Sequence, residues 1–104
     1  TFEFGKSNIK PESYDYLDKL AQTLRRCNRH VEVKGHTDNV GGDEFNMNLS
    51  RDRAKAVVNY LVSKGVNPDK LTYSYYGMRR PLYDNDTEEG RAKNRRVEFT
   101  IKNN

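Results

Sequence analysis

The sequence predicts an α/β (α+β) fold, a two-layer sandwich with two main helices on one face of a four-stranded mixed sheet. The predicted order of elements is β-α-β-α-β-β. Four segments alternate apolar and polar residues with the period of two that indicates a strand with one buried face. Two longer segments repeat apolar residues at helical spacing. The strands lack the continuous apolar runs of a parallel sheet covered on both faces, so we expect one face to be exposed.

The first half of the chain predicts two strands around a helix. The opening TFEF, residues 1–4, alternates as a strand with Phe2 and Phe4 on one face. A helix follows from about Pro11, a residue that suits a first helical turn. Its apolar stripe consists of Leu17, Leu20, Ala21, Leu24 and Cys27. We therefore expect the thiol of Cys27 to be buried. HVEVKG, residues 30–35, alternates again and predicts the next strand.

The second half predicts a helix over residues 46–61, ended by Gly65, and strands in LTYSYYG and VEFTI. Between these strands lies a long connection, MRRPLYDNDTEEGRAKNRR. It is predicted to hold a short helix capped by Thr87, with Glu88 and Glu89 in its first turn. Its length exceeds that of an ordinary connection, so we interpret it as a candidate functional loop.

Length and composition favour one domain, residues 1–104. The chain has 19 Lys and Arg against 15 Asp and Glu, a net charge of +4, with both signs interleaved along most of it. The short basic runs LRRCNRH and GRAKNRRVEF suit either solvated surface or an anion site. No stretch reaches the ~20 apolar residues of a membrane span, and no export signal opens the chain, so we expect an excised domain. The single cysteine excludes an internal disulfide.

Polar side chains interrupt the apolar face of the 46–61 helix. Asn46, Ser50 and Arg53 project along the middle of the arc formed by Leu49, Ala54, Val57 and other apolar residues. Arg53 also lies towards the positive end of the helix dipole, which disfavours a cation. We therefore expect a negative group close to Arg53, and Asp38, in the loop GHTDNVGGDEF before the helix, is the candidate.

Two interpretations of this pair remain open. Asp38 and Arg53 can form a structural ion pair. Alternatively, they flank a cavity and bind a zwitterion, with Asp38 accepting from an ammonium and Arg53 holding a carboxylate through its planar fork. In that case Asn46 and Ser50 would add neutral hydrogen bonds.

Three motifs in order resemble a known family. GHTDNVG, NMNLSRDRAKAVVNYL and GRAKNRRVEF are similar to the signature of the OmpA-like C-terminal domain, shared by outer-membrane proteins, peptidoglycan-associated lipoproteins and flagellar motor stator proteins. The resemblance runs from about Phe2 to Ile101.

The resemblance implies non-covalent binding of peptidoglycan through the diaminopimelate of the stem peptide, anchoring an outer-membrane or periplasmic protein to the cell wall. Asp38 and Arg53 match the family's principal binding positions, and Thr37, Asn46 and Arg95 match neighbouring contacts. We therefore expect a noncatalytic anchor, with no cofactor, no metal and no nucleic acid. Location at the periplasmic face of the outer membrane is expected, with membrane association only through a segment outside this chain.

Other functions are possible on residue type alone. His36, Asp38 and Ser50 could form a hydrolytic set, although a serine inside a helix lacks the strained turn of many hydrolase nucleophiles. His30, His36 and Asp38 could bind a metal, but no fourth ligand is evident. An open sheet face could bind single-stranded RNA through aromatic rings. Tyr73 and Tyr75 share the face of Leu71 and are expected in the core, which leaves only Tyr76 for stacking.

Overall fold

A computed structural model describes residues 2, 6–26 and 29–102. Within these residues, helices and strands alternate along the chain after a 3₁₀ turn at Pro11–Ser13, and a second 3₁₀ turn lies at Pro68–Lys70. The elements are α1 (Tyr14–Arg26), β1 (His30–Gly35), α2 (Asp43–Ser63), β2 (Leu71–Tyr75), α3 (Glu88–Asn94) and β3 (Val97–Lys102). None of the helices in these ranges is long and apolar enough to cross a membrane.

The described strands form a mixed sheet in the order β2-β1-β3. The central strand β1 pairs parallel with β2, with Val33 opposite Tyr73, and antiparallel with β3, with Val33 opposite Phe99. The α+β class and mixed sheet are thus confirmed. The fourth predicted strand, residues 1–4, lies outside the described residues apart from Phe2, whose N–H donates to the carbonyl of Arg95 at 3.0 Å.

The core lies between the helices and one face of the sheet. Alternate residues of β1 are buried there because successive side chains of a strand point to opposite faces. The predicted stripe of α1 is confirmed at Leu17, Ala21 and Leu24, all buried, whereas Cys27 lies outside the described residues. The core residues are Phe2, Leu17, Ala21, Leu24, Val31, Val33, Ala54, Val57, Leu61, Val66 and Leu71.

Helix α2 packs very closely on the end of β1. A side-chain methyl group at Gly35 would overlap the backbone carbonyl of Ser50, so glycine is required at this crossing. The helix extends beyond the predicted 46–61 at both ends, and Gly65 follows it with a φ of +95°. This conformation is the expected left-handed termination. The close approach brings the first turns of α2 beside the loop that leaves β1.

The connection from β2 to β3 contains the predicted short helix. Thr87 caps α3 by accepting a hydrogen bond from the N–H of Gly90 at 3.0 Å. Farther into the helix, Asn94 accepts from the N–H groups of Leu82 and Tyr83, each at 3.1 Å, which folds the preceding loop back onto the helix. The prediction of a capped helix here is confirmed.

The expected burial of two tyrosines is wrong. Tyr73 and Tyr75 do lie on the same side of β2 as Leu71, but they are 43% and 39% exposed. The reason is their position on an edge strand of the described sheet. The pattern of alternation gave the correct side of the strand but carried no information about how far the helices extend over it.

Candidate functional site

Arg53 is completely enclosed on the helix side of the sheet. Its exposed fraction is 0%. The guanidinium donates through Nε to the carbonyl of Lys6 at 2.8 Å and through Nη1 to the carbonyl of His36 at 3.1 Å. Its Cζ also lies 5.1 Å from the centre of the Phe2 ring. Arg53 thus holds together the first segment of the chain and the end of β1.

The pKa of Arg53 is lowered to about 10, mainly by burial, with the charge of Asp38 opposing the shift and that of Arg95 adding to it. The group still carries its positive charge at neutral pH. The predicted polar stripe on α2 is confirmed as buried, since Asn46 and Ser50 are 1% and 0% exposed.

Asp38 forms a buried ion pair with Arg95. One carboxylate oxygen accepts from Nη1 of Arg95 at 2.9 Å, and the other accepts from the N–H of Val40 at 3.1 Å. Of the two interpretations of Asp38 and Arg53, the structural ion pair is not seen between these two side chains, and the ion pair of Asp38 is with Arg95. Asp38 still acts on Arg53 through its charge, so one carboxylate serves two buried guanidinium groups.

Arg95 uses all three of its nitrogens. Besides Asp38, it donates through Nε to the carbonyl of Phe2 at 2.9 Å and through Nη2 to Oε1 of Glu88 at 2.9 Å. Burial lowers the pKa of Arg95, but the hydrogen bonds to Asp38 and Glu88 outweigh this effect, and the net result is a raised pKa. The group is fixed as a cation.

The neighbouring Arg96 points to the opposite face of the sheet, because successive residues of an extended chain alternate in direction. It pairs with Glu98 at 2.7 Å and donates to the carbonyl of Arg80 at 3.1 Å. Of the two arginines in NRR, Arg95 is the one that reaches Asp38.

Thr37 and Asn46, the other predicted site residues, support the loop that carries Asp38. The hydroxyl of Thr37 donates to the carbonyl of Asp38 at 2.9 Å. The amide of Asn46 donates to the carbonyl of Val40 at 3.1 Å and to that of Gly41 at 3.5 Å. In this structure both side chains therefore bond to the backbone of the loop and hold Asp38 beside Arg95.

The hydrolytic set considered from residue type does not come together. Ser50 lies on the helix side, where its hydroxyl donates to the carbonyl of Met47 at 2.8 Å and accepts from the N–H of Gly77 at 2.9 Å. His36 stacks on Tyr76, with ring centres 5.3 Å apart, and neither of its ring nitrogens has a hydrogen-bond partner among the described residues. The described part of the chain also contains no cluster of three or more His, Cys, Asp and Glu side chains suited to a metal.

The open face of the sheet is rich in internal ion pairs and hydrogen bonds. Glu32 accepts from Ser74 at 2.7 Å and pairs with Lys102 at 3.4 Å. Tyr76 is covered by His36 on one side, and the guanidinium of Arg80 lies 4.1 Å from its ring centre. A face with carboxylates and a covered ring is a poor platform for stacking RNA bases.

A cavity of about 310 Å³ lies away from Asp38 and Arg53, between α1 and β3, and its lining includes Ile9, Tyr16, Leu17 and Phe99. Asp38 and Arg53 are not among the residues that line this cavity; Asp38 is 3% exposed and Arg53 is fully buried.

Comparison with known proteins identifies the family. A model described as the OmpA family matches residues 1–95. The chain belongs to the OmpA family. An outer membrane porin F from Pseudomonas fluorescens is 46% identical over 96% of this chain and 31% of its own length. A peptidoglycan-associated lipoprotein from Pseudomonas aeruginosa is 44% identical over 94% of this chain.

This OmpA-family chain spans 31% and 58% of the lengths of these two relatives. A solved structure of the peptidoglycan-associated lipoprotein from Burkholderia pseudomallei has the same fold. It superposes with a TM-score of 0.94 and 28% identity, over 97% of this chain and 86% of the other. The similarity therefore covers nearly all of the present chain but only part of the longer curated relatives.

Glu88 is the contact that reasoning from the sequence missed. Its position in the first turn of α3 was predicted, but its side chain was interpreted only as favourable to the helix dipole. A signal was present, because Glu88 and Arg95 are seven residues apart, which is about two helical turns and places both on one side of α3. The carbonyl groups of Phe2, Lys6 and His36 carried no such signal.

Proposed function

We propose that residues 1–104 form one noncatalytic domain that binds peptidoglycan and anchors a longer protein of the cell envelope to the wall. The ligand group is the amino-acid head of diaminopimelate in the stem peptide. Asp38 accepts from its ammonium, and Arg53 and Arg95 hold its carboxylate, with Thr37 and Asn46 close by. The name of the Pseudomonas lipoprotein supports the first part of this proposal, and the charges of the cluster support the second.

One observation carries the proposal: a buried carboxylate that lies 2.9 Å from one guanidinium and acts on the charge of another. Buried charges cost several kcal/mol unless they are paired, and three of them gathered at a loop end are typical of a binding site. A zwitterion brings one charge of each sign, so it can take part in these contacts without changing the net charge of the cluster.

The same contacts imply that binding involves exchange. Arg53 is fully buried, so it reaches a ligand only when a contact that encloses it gives way, and Asp38 must share or release Arg95. Each new charge-assisted hydrogen bond contributes roughly 1.5–3 kcal/mol, and the contact that it replaces subtracts from this gain. We therefore expect moderate, reversible attachment, which becomes strong when many copies bind the same wall.

Cosedimentation with purified sacculi tests the proposal. Asp38→Ala and Arg53→Ala should abolish binding, and Asp38→Asn, which keeps the size of the side chain, separates loss of charge from loss of packing. Arg53→Lys should also bind poorly, because one ammonium cannot reproduce the planar fork. The matched control is Asp52→Asn, which removes the same charge from an exposed position on α2.

Circular dichroism of each variant shows whether it is folded. Sacculi with lysine in place of diaminopimelate should bind weakly, since the lysine side chain lacks the second carboxylate. Folded Asp38 and Arg53 variants that bind like the parent would overturn the assignment of the site. Equal binding to both kinds of sacculus would overturn diaminopimelate as the ligand.

A further inference from the structure

The partners of Arg95 differ greatly in how easily they can leave. Phe2, whose carbonyl accepts from Arg95, is 3% exposed, and the side chain of Asp38 is 4% exposed. The side chain of Glu88 is 68% exposed. Three of the five N–H groups of Arg95 already have a partner, and its side chain is only 8% exposed, so a ligand carboxylate that approaches from the side of Glu88 must take the place of that carboxylate. Glu88 is the partner whose release costs least.

Release of Glu88 leaves it with other favourable contacts. Its second oxygen, Oε2, accepts from Nε of Arg91 at 3.3 Å, one helical turn farther along α3. The freed oxygen can return to water. The hydrogen bond from Arg95 lowers the pKa of Glu88, with Arg91 acting in the same direction, so the group is ionised at neutral pH. A ligand carboxylate would thus replace a carboxylate and preserve the charge at Arg95.

We propose that Glu88 is an internal competitor of the ligand: its carboxylate occupies Nη2 of Arg95 in the free protein, must be displaced by the ligand carboxylate, and so weakens and tunes binding. This inference rests on the proposed function, because it assumes a ligand with a carboxylate at Arg95. It gives α3 a role in affinity without adding any contact to the bound state.

The neighbouring Glu89 provides a matched control. Glu89 has the same charge, lies in the same first turn of α3 and pairs instead with Lys93 at 3.6 Å, with 84% of its side chain exposed. Glu88→Gln and Glu89→Gln therefore change the net charge and the helix equally. Only the first variant replaces the charged partner of Arg95 with a neutral amide, which accepts a weaker hydrogen bond and is displaced more easily.

Isothermal titration of the folded variants with a soluble stem peptide containing diaminopimelate tests the proposal. Glu88→Gln should bind about two- to fivefold more tightly than the parent, the range set by an exposed ion pair, whereas Glu89→Gln should bind like the parent. In an Arg95→Gln background, Glu88→Gln should bring no gain, because the competition requires Arg95.

Three results would overturn the proposal: unchanged or weaker binding by Glu88→Gln, an equal gain in Glu89→Gln, or a gain that persists without Arg95. Failure of the proposed function is distinguishable, because the parent would then give no heat with the peptide, or Asp38→Asn would bind as well as the parent. If the parent binds through Asp38 and Glu88→Gln brings no gain, only the role of Glu88 is wrong.

Discussion

On the helix side of the sheet, beyond the end of β1, Asp38 lies with Arg53 and Arg95; on the open side, Glu98 lies with Arg96. Both groups contain buried arginine beside a carboxylate. On the open side the partners are two residues apart in one segment of chain, so the pair forms wherever that strand forms.

The helix-side cluster is assembled differently. Its three charged residues come from the loop after β1, from α2 and from the residue that follows α3, and its exposed partner Glu88 comes from α3. The charged residues of this cluster are thus far apart in the sequence, whereas Arg96 and Glu98 belong to one short segment. The comparison teaches that the type of residue does not distinguish a candidate site from a framework contact, but the origin of its partners does.

The largest expected effect is on stability and concerns Gly35, where α2 packs against the end of β1. In Gly35→Ala the methyl group would overlap the carbonyl of Ser50 and push α2 away from β1. We expect a loss of about 3 kcal/mol or more in the free energy of unfolding, at the upper end for overpacking. Urea unfolding followed by circular dichroism measures it.

Gly42→Ala is the control for this prediction. Gly42 precedes α2, and a methyl group there would have no neighbour within 4 Å. Its cost should stay below about 1 kcal/mol, the size of a helix N-cap effect. Similar losses in the two variants would show that the close crossing of α2 over β1 does not govern the stability of this region.

The second prediction compares Arg95 with Arg96. Arg95→Gln removes a proposed ligand contact worth roughly 1.5–3 kcal/mol, so the stem peptide should bind about 10- to 100-fold more weakly. Arg96→Gln should bind within about threefold of the parent, although both variants lose stability. Titration with the peptide, together with urea unfolding, separates the two effects. An equal fall in affinity would mean that the loss reflects the fold and that the two clusters are not functionally distinct.

The sequence predicted well where periodicity decides the outcome. The burial of Arg53 follows from its place in the apolar arc of α2, and the cap at Thr87 follows from the residues after it. Periodicity could not predict that Tyr73 and Tyr75 are exposed, because their burial depends on the reach of the helices over an edge strand. The first strand lies outside the described residues, except for Phe2, and stays a prediction.

The partners within the site were harder to predict. Asp38 and Arg95 are 57 residues apart, and only the antiparallel pairing of β1 with β3 brings them together. The sequence suggested Arg53 as the partner because it is nearer along the chain. Backbone carbonyl groups hold much of Arg53, and every residue has such a group, so no side-chain pattern could indicate them.

His36 offers a way to test the open side alone. Its ring is 2% exposed and is stacked on Tyr76. Burial lowers the pKa of His36 to about 4, with the positive charges of Arg96, Arg80 and Lys34 acting in the same direction and Glu98 opposing them. The imidazole is therefore neutral in the folded protein well below the pH at which it titrates in an unfolded chain.

The smallest effect expected at pH 7 on ligand binding, and a measurable effect of pH on stability, follow from that difference. In the unfolded chain the pKa of histidine is about 6.5, so between pH 6.5 and about 4 the unfolded state binds more protons than the folded one. Stability should fall as the pH falls through this window, with His36 contributing at most about 1.4 kcal/mol per pH unit.

His36→Phe keeps a flat ring against Tyr76 and should remove this part of the pH dependence of stability, measured by urea unfolding at several pH values. Peptide binding at pH 7 should change less than threefold, because the ring lies across the sheet from Asp38. An identical slope in the two proteins, or a large loss of affinity in the variant, would contradict the separation of the two sides.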